Sequence, residues 1–211
     1  MLVARRRILL PLLIGLLGAG LAGALAARGQ APPPKTITFR MVRSSGVAAA
    51  KCLPNAQANV TDTSLGPVER LTVAVSGLPA NTDFDLFVIQ VPNAPFGLSW
   101  YQGDIVTGAS GARTQNFVGR FNRETFIVAP GVAPAPVVHP RAAFPDASSN
   151  PATAPVHPFH LGLWFNSPAD AAKAGCGNTV TPFNGTHNAG VQALSTRNFG
   201  LRTGPLRSLA P

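Results

Sequence analysis

Residues 68–91, "VERLTVAVSGLPANTDFDLFVIQV", decide the fold class. The first part alternates, with Val68, Leu71, Val73 and Val75 as its apolar members, which is the period of a half-buried β-strand. After Asp85 the run to Val91 is nearly continuous in apolar residues, as in a strand buried on both faces in the middle of a sheet. Asp83 and Asp85, two apart, share a face of that strand. They read as a solvated strand entrance, because a calcium site or an acid/base pair needs further oxygen ligands or partners nearby.

Working outward, "TITFRMVR" (36–43) alternates as a first strand, and "SSGVAAAKCLPN" (44–55) breaks the pattern as a loop carrying Cys52. "GARTQNFVGRF" (111–121) and "ETFIVAPG" (124–131) predict a hairpin turning at Asn122-Arg123. Residues 130–158 hold eight prolines, which excludes a regular central strand and makes an irregular loop. In "SPADAAKAGC" (167–176), Ser167 caps, Pro168 takes the first helical position, Asp170 lies in the first turn and Gly175 takes the left-handed position after the last turn. A short helix near 168–174 follows. Residues 180–199 read as two short strands about "FNGTHNAG", and 201–211 as a tail.

The joint from Gly77 to Phe84, with Leu78, Thr82 and Phe84 leading into the next strand, resembles the corner of fibronectin type III and related immunoglobulin-like domains. That resemblance implies an antiparallel β-sandwich, immunoglobulin-like or jelly-roll-like in its strand plan. "FVGRFNRETFIVAPG" and "HLGLWFNSPADAAKAGC" resemble exported bacterial proteins made of a signal peptide and a single β domain, a likeness that implies no particular activity.

The N-terminus carries Arg5, Arg6 and Arg7, then an uncharged apolar run from Ile8 to Ala27 with the small-x-small pattern Ala24-Leu25-Ala26. This is the pattern of a secretory signal cut after Ala26; left uncut, it is a membrane anchor, the chain's one route to a membrane. Residues 27–35 are a Pro-rich spacer, and 36–200 one domain with room for a full core.

The whole chain has 17 Lys+Arg against 8 Asp+Glu, a net charge of +9. The basic residues outside the leader are scattered singly, whereas a nucleic-acid groove concentrates them, so nucleic acid is excluded as a partner. Cys52 and Cys176, in an oxidising compartment, pair as one disulfide.

The usual catalytic signatures are missing: there is no G-x-S-x-G, H-E-x-x-H, phosphate loop or dinucleotide turn, which lowers the expectation of an enzyme without excluding one. "PNAPFGLSWYQGD" (92–104) reads as a loop in which Trp100 and Tyr101, with Asp104 to orient a ligand, stack on a glycan or anchor a cell-surface polymer or protein partner. The competing reading is a zinc or copper site drawn from His139, His157, His160 and His187. Strand geometry counts against it. His157 falls on the face of Phe159 and Leu161, and His160 on that of Gly162 and Trp164, unless Pro158 leaves His157 in the loop. A third reading is a structural component of the cell envelope.

Overall fold

Along Glu69–Ser76 (β3), alternate residues Glu69, Leu71, Val73 and Val75 are buried while the residues between them are more open. Gln57–Ser64 (β2) repeats the pattern with Ala58, Val60 and Asp62 turned inward. β2 and β3 pair in register over their whole length, and Arg113–Gly119 (β6) pairs on the far side of β3.

The computed structural model describes residues 35–121, 124–125, 155–156, 158–184 and 187–209. Its principal sheet also includes Thr36–Arg43 (β1), Asp83–Ile89 (β4), Ser99–Val106 (β5), His160–Phe165 (β9) and Gln192–Ser195 (β12). Two-stranded pairs are formed by Glu124–Thr125 (β7) with Pro155–Val156 (β8) and by Thr181–Asn184 (β10) with His187–Ala189 (β11). The protein is mainly β and antiparallel, as expected.

Eight strands run β5-β4-β9-β12-β1-β2-β3-β6 in one sheet that curls until it is nearly a barrel. β1 is the joint between its halves: Thr36–Met41 pair with β2, and only Val42 and Arg43 pair with β12. The terminal strands β5 and β6 come together across the curl, where a Cβ on Gly103 would stand 2.9 Å from the Phe117 ring. Phe39, Met41, Leu71, Phe84, Leu86, Leu163 and Phe165 fill the inside. Phe84 meets Phe165 at a ring-centroid distance of 4.8 Å. β4 lies between β5 and β9, which is the central, doubly buried position its apolar run predicts.

The helix near 168–174 spans Pro168–Lys173 (α2). The Ser167 hydroxyl accepts from the Asp170 N–H, and Gly175 has φ of 72°. Just beyond, Cys176 is bonded to Cys52, 124 residues away, with Cα atoms 5.3 Å apart. Both sulfurs belong to the inner core. Among the described residues no helix is long and apolar enough to cross a membrane.

Several expectations need correction. The stretch 44–55 is not all loop: Ser45–Ala49 (α1) is a short helix whose cap, Ser44, accepts from the Val47 N–H. Residues 99–104 are the first part of β5 rather than loop, because their backbone completes the free side of β4. Asp85 is not solvated; it is 1% exposed. Within the expected hairpin, β6 pairs with β3, and the described start of the second arm, β7, pairs with β8. The supposed tail contains a 3-10 helix, Pro205–Leu209, which buries Leu206 against the core. The leader, the turn at 122–123, most of the 130–158 loop, His139 and His157 lie outside the described residues.

Candidate functional site

Each strand of the curled sheet has an inner and an outer face. On β4 the inner residues are Phe84, Leu86 and Val88, so Asp83, Asp85, Phe87 and Ile89 face outward. On β9 the inner residues are Leu161, Leu163 and Phe165, leaving His160, Gly162 and Trp164 outside. Register sets Asp85 beside Trp164 on one flank and Asp104 on the other, and Phe87 beside Gly162 and Tyr101. The β10–β11 hairpin supplies Phe183 over this face.

The result is a set of rings at steep angles. Trp164 meets Phe87 at 5.2 Å and Phe96 at 5.0 Å, and Phe183 meets Phe87 at 5.3 Å and Tyr101 at 5.2 Å, all edge to face. Edge-to-face packing is the favoured arrangement of aromatic quadrupoles. Here the rings wall a pocket of ≈ 190 Å³ that also touches Pro95, Ser99 and Thr181. A second hollow, ≈ 200 Å³, lies beyond Phe96 and Trp164 and is bordered by Ser44, Ser45 and Gln192. Gly162 is what lets the indole lie down: a Cβ there would stand 2.2 Å from the Trp164 ring and 2.6 Å from Gln192 Nε2. Trp164 is only 3% exposed, yet neither its Nε1 nor Gln192 Nε2 has a hydrogen-bond partner. Buried donors left unmatched cost free energy, so such atoms mark places where a partner is wanted.

Next to the rings on the same face lie the carboxyl groups. The Tyr101 hydroxyl donates to Asp104 Oδ1. Burial, then the charge of Asp104, pushes Asp85 up to about 7. Its Oδ2 has no partner, nor does Asp83 Oδ1. Asp83 is raised for the same two reasons, burial first. Burial and the bond to Asp104 also raise the Tyr101 phenol. His187 bears on both Asp83 and Asp85 and donates from Nε2 to the Asn166 carbonyl at 2.8 Å.

The residues singled out in the sequence are thus partly assembled. Tyr101 and Asp104 are bonded to each other at the edge of the aromatic set. Trp100 is not with them: it pairs with Val88, an inner-face position, while Tyr101 pairs with the outward Phe87, so the two side chains leave β5 on opposite faces. Trp100 is 52% exposed. His160 is buried in the sheet, donating from Nε2 to the Leu201 carbonyl and bonded at Nδ1 to Thr196 Oγ1. His160 and His187 belong to separate hydrogen-bonded sets, and among the described residues no group of three His, Cys, Asp or Glu side chains is placed to hold a metal ion. Sequence reasoning missed Phe87, Trp164, Phe183 and Gln192 as site residues. The available signal was Gly162, which stands on the same strand face as Trp164 and leaves room for a large ring.

Compared with known proteins, the chain matches no family profile and no curated protein.

Proposed function

We propose that this is an exported protein, cut free of its leader, whose single disulfide-closed β domain has a sandwich-like, flattened-barrel form and binds a small ligand on the outer face of β4 and β9. One observation carries this reading: an aromatic pocket is walled by Phe87, Phe96, Phe183 and a buried Trp164 whose indole N–H lacks a partner, while a second unpartnered donor, Gln192 Nε2, borders the adjoining hollow. Apolar walls with a few convergent polar atoms are the ordinary composition of ligand sites. The volume is below the roughly 300–1,000 Å³ of drug-sized pockets, so the ligand is small and carries an acceptor for those donors. The disulfide fits an oxidising compartment.

The test uses the Trp100→Phe protein, in which Trp164 is the only indole. Phenol, benzyl alcohol, choline and 3,3-dimethylbutan-1-ol are titrated while its emission is followed. A saturable change with at least one compound is expected, and Gly162→Ala, whose methyl displaces the indole, abolishes it at a stability cost of about 1–3 kcal/mol. No saturable response to any of the four contradicts the reading.

A further inference from the structure

The charge around the pocket runs against the charge of the chain. A protein with 17 basic and 8 acidic side chains places Asp83, Asp85 and Asp104 on one patch of sheet. Among the described residues the one ion pair is Lys173–Asp170, so no lysine or arginine neutralises these three carboxyls. The charges that bear on Asp85 are those of Asp104, His187 and Asp83. Asp85 is nearly sealed from water and still has an oxygen without a partner. The patch adjoins the aromatic box directly: Asp85 stands beside Trp164 in register and two residues from Phe87 on the same face. Ring faces carry negative potential of their own, and a cation within about 6 Å of a ring centroid is held by it. Rings and carboxyls therefore favour the same guest, and the unpartnered Trp164 donor, on the pocket wall, asks that guest for an oxygen.

On the strength of the pocket reading above, we infer that the ligand is a small organic cation of the alkylammonium class bearing an oxygen acceptor, its ammonium group held between the aromatic box and the Asp85–Asp104 pair. Ammonium with methyl substituents suits this place better than a metal ion, because its charge is spread over an apolar surface that the rings can cover without stripping a tight hydration shell.

Choline and 3,3-dimethylbutan-1-ol are matched in shape and differ in having N⁺ or a neutral carbon at the branch point. In the Trp100→Phe protein, choline binds at least tenfold tighter than the neutral alcohol, and Asp104→Asn weakens choline several-fold while leaving the alcohol unchanged. Equal or tighter binding of the alcohol overturns the cation inference and leaves the pocket reading standing, as does binding of phenol alone. Silence from all four compounds overturns both. Thermal melting of Asp104→Asn, which removes a charge from an exposed position, shows that any loss is not one of folding.

Discussion

The two faces of β4 come from one strand and differ in almost everything else. Inward, Phe84, Leu86 and Val88 meet a filled interior with no exposed surface. Outward, Asp83, Asp85 and Phe87 alternate with them and meet a short hairpin, a hollow and several polar atoms without partners. A buried strand needs apolar side chains on both faces for stability alone. When one face instead carries carboxyls under cover, stability does not explain their presence. The same contrast exists inside the curl: Asp62 is an inward carboxyl, fully buried, with both oxygens unpartnered, but it has no aromatic box beside it.

The largest effect should come from the inner core. Replacing Cys52 and Cys176 by Ala opens a loop of 124 residues, for which chain entropy predicts a loss of about 4–5 kcal/mol. Melting of the variant checks this, and an unchanged Tm would mean that the bridge constrains nothing. Next, the faces themselves are separable. Phe84→Ala empties a fully buried site and should cost about 3–5 kcal/mol, a fall in Tm of roughly 10 °C or more. Phe87→Ala, on the half-buried outer side, should cost less than half as much and yet remove ligand binding altogether. If the two variants lose stability and binding in equal proportion, the faces do not divide as described.

The smallest effect concerns the buried carboxyls. Burial, then the charge of Glu69, pushes Asp62 up to about 7. The folded state thus holds this proton more tightly than the unfolded chain does. Its stabilising contribution is complete below about pH 4 and is lost as pH rises toward and through 7. Asp62→Asn should flatten that slope and raise stability at pH 8 by about 1–2 kcal/mol, since it removes an unpaired buried charge. Denaturant melts of wild type and variant at pH 4, 6 and 8 measure it; a wild-type stability that rises over this range would reverse the sign.

How much of this was legible depended on whether the signal was local. β1, β3 and β4 announced themselves by period and apolar run, and α2 by Ser167, Pro168 and Gly175. β2 was silent because "QANVTDTS" turns Asp62 inward where the pattern calls for an apolar residue, and Gln, Asn and Asp are poor strand formers. β5 was hidden by Gly103 and by the turn-forming residues before it; only pairing with β4 makes it a strand. The site was harder still. Tyr101 and Asp104 were visible as neighbours in sequence. Phe87, Trp164 and Phe183, by contrast, come from three separate elements and meet only through register and the covering hairpin. Trp100 misled because adjacency in sequence means opposite faces on a strand.

The central claim, that the outer face of β4 and β9 is a binding site, is tested most directly by the two indole N–H signals of the ¹⁵N-labelled protein during a choline titration. Trp164 Nε1–H, buried and without a partner, should move progressively and saturate, while that of the exposed Trp100 stays in place. A titration in which neither signal moves, or in which only Trp100 responds, would contradict it.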